Sequence, residues 1–348
     1  MELSFHGGAE MQISRRNAIT LFGAAALGAA SGLTPLRSSL VAAKASGSDD
    51  REKVDILMAG ASFYDVPYYA MRDFGFAEQH NIEVEATQNF DGGSSAAQIF
   101  AGGFGDVLIS GMNGVVAIGR EGLIDLTVLG VWTKYPYHRV VGKKDSEYTA
   151  LEDLRGSGAV IGVSGSGSFG DLLIRDALVT LGIDPDAEVE IVNAGGAAAQ
   201  VAALDSGSID LSLLLPPVYV IEADNLQTVH RFNQVEVPSS VFTARTGDVE
   251  DNPEKFANFM GAYADAASAM IDDPAFALEV ADASWGDGID DAEVLKACVD
   301  EFLGIWSADG LFTEAQYDNS IAMLINSGLF EAEGMPSFEE MTAAAPEF

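Results

Sequence analysis

The segment Gly162-Val163-Ser164-Gly165-Ser166-Gly167-Ser168-Phe169-Gly170-Asp171 joins a strand to a helix. It overlaps the end of an apolar run, Ala159 to Val163, that is typical of a buried strand, and in residues 172–181 apolar side chains recur at helical spacing. Ser168 and Asp171 have the form of a helix N-cap followed by an acidic first turn. The glycine-serine turn would therefore present N–H groups and hydroxyls at the positive end of a helix, which suits a carboxylate, a sulfonate or a phosphate.

The same turn matches the dinucleotide-binding pattern G-x-G-x-x-G over Gly165–Gly170. That pattern normally requires an acidic residue at the end of the next strand, to bind a ribose. Here the next predicted strand, Val189–Val192, is followed by Asn193. A chance match is unsurprising in a chain with 37 glycines. We therefore favour a ligand cradle, and a flexible turn that binds nothing is the alternative.

Residues 1–45 have the features of an export signal. Ser14-Arg15-Arg16-Asn17-Ala18-Ile19 resembles a twin-arginine motif, an apolar run follows from Ala18 to Leu33, and Ala43-Lys44-Ala45 is a cleavage site of the A-x-A type. A membrane anchor is the alternative, but an apolar run of 16 residues is short for a span. We expect cleavage, a linker over 46–52 and a soluble periplasmic protein; either Met1 or Met11 is the start.

The composition excludes several classes of partner. The chain has 53 acidic and 18 basic residues, a net charge of −35, which argues against nucleic acid and against an anionic membrane surface. The single cysteine, Cys298, excludes an intramolecular disulfide, and its apolar helical context predicts core packing.

Strands alternate with helices up to about residue 244, which predicts a mostly parallel α/β architecture. One order of features occurs twice: a glycine pair, small residues, a glutamine, then Gly-x-x-Asp before a strand, first over 92–107 and again over 195–211. A repeat of about 100 residues suits two related lobes better than a solenoid. Beyond residue 244 the pattern is helical, and we expect this tail to pack on a lobe already built.

Several short motifs, in this order, resemble ABC-transporter substrate-binding proteins of the taurine, sulfonate, nitrate and thiamine-pyrimidine-precursor group. They are Phe74-Gly75-Phe76 before Ile82-Glu83-Val84, Gly92-Gly93, Gly103-x-x-Asp106-Val107, Leu151–Gly156, Ile161-Gly162-Val163, Leu181–Pro185, Ala203–Asp210 and Pro216. The resemblance implies the type II periplasmic-binding-protein fold, with two α/β lobes, a ligand cleft and hinge closure, and it implies an ABC permease and a cytoplasmic ATPase as partners. We assign 53–140 and 240–348 to lobe 1 and 141–239 to lobe 2, with hinges near Val140–Gly142 and Val237–Ser240.

Ligand-binding residues are expected at the carboxyl ends of the strands, where α/β sheets bind ligands. Five aromatic residues at these strand ends lie on loops: Phe63, Tyr64, Trp132, Tyr135 and Phe169. Their position predicts a partly aromatic, apolar pocket, and core packing is the alternative for each. Lys134 and Arg139 are the nearest cations, and neither lies in the glycine-serine turn. The predicted ligand-binding residues are Ser62, Phe63, Tyr64, Met112, Asn113, Trp132, Tyr135, Ser164, Gly165, Ser166, Ser168, Phe169, Asn193, Pro216 and Tyr219.

The sequence offers no catalytic or metal-binding candidate. The histidines are not spaced as metal ligands, no serine has glycine at both −2 and +2, and no P-loop pattern occurs. We therefore expect no cofactor and no enzyme activity.

The sequence predicts an exported, monomeric solute-binding protein that delivers a small organic molecule to an ABC importer. The ligand would be a sulfonate, a carboxylate or a pyrimidine-like compound. One alternative is an exported NAD(P)-dependent oxidoreductase that uses Gly165–Gly170. Another is a sensor domain of the same fold, which differs only in its partner.

Overall fold

The structure is a computed structural model, and it describes residues 51–58, 63–88, 93–120, 124–234, 236–286 and 288–348. The predicted signal peptide, most of the predicted linker, Ser62 and Gly92 lie outside the described residues.

Two five-stranded sheets form the centre of the described chain. The first contains β1 (Glu52–Met58), β2 (Ile82–Gln88), β3 (Val107–Ser110), β4 (Leu126–Val131) and β10 (Val241–Arg245). The second contains β5 (Arg139–Lys143), β6 (Val160–Val163), β7 (Glu190–Asn193), β8 (Leu211–Leu214) and β9 (Leu226–Arg231). The strand orders are β2-β1-β3-β10-β4 and β7-β6-β8-β5-β9, so the second sheet repeats the first.

Each sheet is mostly parallel, as predicted. In the first sheet β1 pairs in parallel with β2 and β3, and only β10 runs antiparallel to its neighbours. In the second sheet β5 is the antiparallel strand, between β8 and β9. Each of these two antiparallel strands is the first strand that the chain forms after it passes from one sheet to the other.

The chain crosses between the sheets twice, through residues 132–138 and 232–240, which we call the first and second crossovers. The expected hinge at Val140–Gly142 is wrong, because those residues lie inside β5 and are paired with strands on both sides. The other expected hinge, Val237–Ser240, lies in the second crossover.

Helices cover the sheets. The pattern from Pro67 to Gln79 predicts one helix, which the structure divides at Gly75, whose φ of 87° is in the left-handed region. The helices before β10 are α1 (Val66–Asp73), α2 (Phe76–Gln79), α3 (Gly93–Ala101), α4 (Met112–Arg120), α5 (Phe169–Thr180), α6 (Ala197–Ser206) and α7 (Val218–Ile221). Those after β10 are α8 (Thr246–Asp251), α9 (Pro253–Asp272), α10 (Pro274–Trp285), α11 (Ala292–Phe302), α12 (Glu314–Asn326) and α13 (Phe338–Thr342).

The sequence repeat is also a repeat of hydrogen bonds. The Asp106 N–H donates to the Asp55 carbonyl at 2.6 Å, and the Asp106 carboxylate accepts the Asp55 N–H at 2.8 Å. Asp210 forms the same pair of bonds with Val160, both at 2.8 Å. The aspartate of each Gly-x-x-Asp motif thus ties the start of the central strand of its sheet, β3 or β8, to the neighbouring parallel strand, β1 or β6.

Most of the helical tail packs on the first lobe, and part of it also reaches the second lobe. Helices α9, α10 and α11 share a core with the first sheet, and Cys298 is buried there as predicted. Helix α12 instead lies against α5 of the second lobe, where Asn326 Nδ2 donates to Asp176 Oδ1 at 2.9 Å. The reason is that apolar residues of α12 such as Tyr317 and Leu324 are covered by a core that contains α5.

Candidate functional site

The carboxyl ends of the strands of both sheets meet at the crossovers, and we call the region between them the interlobe cleft. Asn113, at the start of α4 in the first lobe, donates from Nδ2 to the Gly167 carbonyl in the second lobe at 3.3 Å. Next to it, a Cβ atom on Gly111 would lie 3.4 Å from the Phe169 ring. The structure therefore brings Asn113 and Phe169 together, and glycine at position 111 allows their close approach.

The glycine-serine turn has the predicted N-cap, because Ser168 Oγ accepts the Asp171 N–H at 3.3 Å. However, the Asp171 carboxylate turns back and accepts the Gly167 N–H at 2.8 Å. Asp171 is 1% exposed and forms an ion pair with Arg175 at 2.8 Å. The positive end of α5 is thus already compensated by a carboxylate from its own first turn.

The remaining residues of this turn face outward. Ser164 and Ser166 are exposed, and Gly165 is half-buried. A Cβ atom at Gly165 would meet no atom within 4 Å, so the packing of the protein itself does not require glycine at this position.

Two of the predicted aromatic residues lie in the core of the first lobe. Phe63 and Trp132 are both 0% exposed. The Phe63 ring packs against Trp285 and Phe302, with centroids 5.9 and 5.6 Å away. The Trp132 indole packs against Phe242 and Tyr263, with centroids 5.1 and 5.3 Å away. Both side chains pack in the core of the first lobe, which is the alternative to ligand contact considered for each of them from the sequence.

A row of four rings crosses from the first lobe to the second. Tyr64 stacks on Tyr137, Tyr137 on His138, and His138 packs against Phe169, with centroid distances of 5.5, 5.4 and 5.6 Å. Tyr64 and Phe169 are predicted site residues, but Tyr137 and His138 are not. Sequence reasoning could have found these two from their position beside Tyr135, in the aromatic-rich segment that forms the first crossover.

Buried polar atoms without a partner among the described residues concentrate at the crossovers. Leaving such atoms unpaired is costly, so each of them calls for an explanation. Only Thr243 Oγ1 lies deeper in the first sheet; the others are Thr133 Oγ1, His138 Nδ1, Arg139 Nε, Tyr219 Oη and Ser239 Oγ. Tyr219 is the only predicted site residue in this group.

His138 is uncharged at neutral pH. The residue is half-buried, but Nδ1 is enclosed, and burial lowers the pKa of the imidazole to about 3. A neutral imidazole can donate from one nitrogen and accept at the other. His138 therefore offers the cleft a hydrogen bond without a positive charge.

An ion-pair cluster connects the two lobes at the edge of the cleft. Arg139 of β5 and Arg231 of β9 both pair with Glu301 of α11, the second at 3.5 Å. The Arg139 guanidinium also lies over the Tyr219 ring, 4.1 Å from its centroid. The tail helix α11 is thus held to the second lobe by charge as well as by packing.

The other predicted residues have separate environments. Met112 is buried, and the Tyr135 hydroxyl donates to Glu236 Oε1 at 3.3 Å. Asn193 is exposed, and its Oδ1 accepts the Gly195 N–H at 3.0 Å, so its side chain closes its own turn. Pro216 is buried and is joined to Pro217 by a cis peptide bond.

No group of three or more histidine, cysteine, aspartate or glutamate residues with a metal-ligating arrangement occurs in the part of the chain that the structure describes. Within the same residues, no helix is both long enough and apolar enough to cross a bilayer.

Two mixed sheets that exchange one strand each, with helices on their faces and a cleft at the crossovers, define a periplasmic-binding-protein fold. The chain belongs to the NMT1/THI5-like family, whose family model matches residues 62–277. No curated protein matches the chain.

Solved structures resemble the chain over most of its length. The periplasmic aliphatic sulphonate binding protein SsuA from Escherichia coli is 15% identical, with a TM-score of 0.64, and the match covers 80% of this chain and 91% of that one. A periplasmic sulfonate-binding protein SsuA from Methylobacillus flagellatus is 20% identical, with a TM-score of 0.64 and coverage of 85% and 94%. A ligand-binding component of an ABC-type import system from Staphylococcus aureus is 14% identical, with a TM-score of 0.66 and coverage of 84% and 96%. At these identities the likeness establishes the fold.

Proposed function

We propose that this chain is the extracytoplasmic solute-binding component of an ABC importer, which captures a small organic molecule between its two lobes. The proposal includes export by the twin-arginine-like signal, a monomeric state, no enzyme activity and the lobe boundaries of the sequence analysis. One observation supports it above the others: the enclosed atoms His138 Nδ1 and Ser239 Oγ, one in each crossover, lack partners among the described residues. A ligand in the cleft would supply those hydrogen bonds.

The cleft also has the composition of a small-molecule site. Such sites combine an apolar or aromatic wall with a few convergent polar groups. Here the wall is the partly exposed end of the ring row, His138 and Phe169, with Tyr64 and Tyr137 buried behind it, and the polar groups are the enclosed atoms at the crossovers. The importer as partner rests on the family and on the names of the similar structures, two of which are periplasmic sulfonate-binding proteins.

The oxidoreductase alternative finds no support in the geometry. A dinucleotide would place its pyrophosphate on the N–H groups of the glycine-rich turn. The Gly167 N–H is already bonded to the Asp171 carboxylate, which would repel a pyrophosphate at that position.

The test begins with a thermal-shift screen of small sulfonates, carboxylates and pyrimidine-like compounds, because a ligand that binds the folded state raises its melting temperature. The compound that gives the largest shift is then titrated by calorimetry into the wild type and into Phe169→Ala. Loss of the aromatic wall should weaken binding by about tenfold, equivalent to roughly 1.4 kcal/mol.

Val179→Ala is the matched control, since Val179 is an apolar residue on the same helix but is 40% exposed. Its affinity should equal that of the wild type. Solution scattering at saturating ligand should give a smaller radius of gyration, as expected for hinge closure. A screen without a stabilising compound, or an unchanged scattering profile with bound ligand, would contradict the proposal.

A further inference from the structure

A cavity of about 330 Å³ opens where the crossovers approach the end of α11. Its wall includes the aromatic and imidazole rings of Tyr135, His138 and Phe232. Its charged residues include Arg139 and Arg231 from the second lobe and Glu301 from the first. Because His138 also packs against Phe169, the cavity adjoins the interlobe cleft.

The charges around this cavity do not balance. Arg139 and Arg231 face a single carboxylate, that of Glu301. Asp300 also lines the cavity, but it forms an ion pair with Lys296 at 2.5 Å. One positive charge thus remains in excess, in a chain whose net charge is −35.

The hydrogen-bonding capacity of the two guanidinium groups is also in excess. Both arginines contact the same oxygen of Glu301, Oε2, so neither forms the parallel two-bond pair that a guanidinium can make with a carboxylate. Arg139 Nε is buried without a partner among the residues that the structure describes. The Tyr219 ring, whose centroid lies 4.1 Å from the guanidinium carbon, restricts where this guanidinium can move.

We propose that this cavity binds the anionic group of a small organic acid, and that Glu301 occupies the position of that group until the acid enters. The inference rests on the proposed function and specifies the ligand as a monoanion with a flat, apolar body. The two guanidinium groups bind the charge, and the rings of Tyr135, His138 and Phe232 contact the body.

In this proposal the anion binds at Arg139 and Arg231, not at the glycine-serine turn. At the turn, the Asp171 carboxylate takes the Gly167 N–H and is paired with Arg175. An anion there would meet a fixed negative charge, whereas an anion at Arg139 and Arg231 replaces one. The exchange replaces the ion pairs between α11 and the second lobe by contacts of both arginines to the ligand, so anion binding and the relative motion of the lobes are coupled.

Three probes of the same size separate charge from shape: benzoate, benzenesulfonate and the neutral benzamide. Calorimetric titration should give binding of at least one anion, with benzamide at least tenfold weaker. The ratio between benzoate and benzenesulfonate tells whether the site prefers a planar carboxylate or a tetrahedral sulfonate. Equal affinity for benzamide, or no binding of either anion, would overturn the proposal.

Two variants should shift the affinity for the anions in opposite directions. Arg231→Gln should weaken it at least tenfold; this side chain is 49% exposed, so the variant is expected to fold. Glu301→Gln should strengthen it severalfold, because the internal competitor loses its charge. Glu293→Gln makes the same change of charge at an exposed position of the same helix and should leave the affinity unchanged.

A purely structural ion pair predicts a different pattern, in which Glu301→Gln weakens binding or leaves it unaltered, and that result would refute the assignment. The two proposals can fail separately. A metabolite that binds and closes the protein equally well in Arg231→Gln would remove this site and keep the transport function. Opposite shifts in the two variants, without any change in solution scattering, would keep the site and remove hinge closure.

Discussion

His138 shows how one residue links the core to the cleft. Its ring lies between Tyr137 and Phe169, one atom is enclosed without a partner among the described residues, and burial lowers its pKa to about 3. In the unfolded chain a histidine titrates near pH 6.5. Between these two values the unfolded state binds a proton that the folded state does not bind. The free energy of unfolding must therefore fall as the pH falls through this window.

This residue gives a testable pH dependence. For one such group the slope is at most about 1.4 kcal/mol per pH unit, and it vanishes above the pKa of the unfolded state. Between about pH 7.5 and about pH 5, the wild type should lose roughly 1–2 kcal/mol more stability than His138→Asn. Urea unfolding at both pH values measures the difference, and the higher pH is an internal reference because the imidazole is then neutral in both states. Parallel pH profiles for the two proteins would contradict the expectation.

At the scale of elements, the repeated aspartates explain why the Gly-x-x-Asp motif occurs once in each lobe. Asp106 and Asp210 each fix the start of the central strand of a sheet, β3 or β8, to the neighbouring strand, β1 or β6. Asp106 has a second role, since its carboxylate pairs with Lys255 of α9 at 2.9 Å. Asp210 is exposed, and among the described residues its carboxylate accepts a hydrogen bond from the Val160 N–H alone.

The two aspartates should consequently differ in the cost of their removal. Asp106→Ala should lower the free energy of unfolding by about 2–3 kcal/mol, and Asp210→Ala by about 1 kcal/mol. Amide hydrogen exchange provides a local readout: the Asp55 amide should exchange faster only in the first variant, and the Val160 amide only in the second. Each variant is the control for the other. Equal losses of stability with no local change in exchange would contradict this account.

The elements themselves are predictable from the sequence to a large extent. Periodicity, capping residues and glycine positions locate the strands up to β8 and the long helices, because these signals act within a few residues. The short helices α7, α8 and α13 and the strand β9 have weaker patterns and are not among the elements predicted from the sequence. The hinge at Val140–Gly142 is misplaced for a different reason: nothing local in that run tells a crossover from a strand that is paired on both sides.

The site is less predictable than the elements. The glycine-serine turn, Tyr64, Asn113 and Phe169 are predicted as site residues because strand ends in α/β sheets have a known relation to ligands. Arg139 and Glu301 are 162 positions apart in the sequence, and only the docking of α11 on the second lobe brings them together. The burial of Phe63 and Trp132 likewise depends on tail helices whose packing no short pattern specifies.

At the scale of the whole molecule, the excess of acidic residues dominates the electrostatics. With 53 acidic and 18 basic residues, most carboxylates have no cation to pair with, and their mutual repulsion opposes the compact state. Salt shortens the reach of this repulsion, since the Debye length falls from about 30 Å at 0.01 M to about 8 Å at 0.15 M. Close pairs such as Arg175 with Asp171 are buried and are screened much less.

Raising sodium chloride from about 0.01 M to about 0.15 M should therefore increase the melting temperature by a few degrees, which corresponds to a gain of about 1–2 kcal/mol in the free energy of unfolding. Scanning calorimetry measures the shift, and this range of concentration keeps salt effects on apolar hydration small. A melting temperature that falls with salt would mean that favourable ion pairs outweigh the repulsion.

The indoles of the first lobe give the molecule a built-in optical reporter. The chain has three tryptophans, and all three indole N–H groups bond to the same two residues. Trp132 and Trp306 donate to the Tyr64 carbonyl at 2.6 and 3.1 Å, and Trp285 donates to the Asp65 carboxylate at 3.0 Å. Because the emission of an indole depends on its hydrogen bond and its surroundings, the tryptophan emission reports on one short buried turn, Phe63–Asp65, whose Tyr64 ring begins the row that leads to Phe169. Occupation of the cleft should therefore change this emission, and the rate of the change would give the rate of capture in the unmodified protein without a dye.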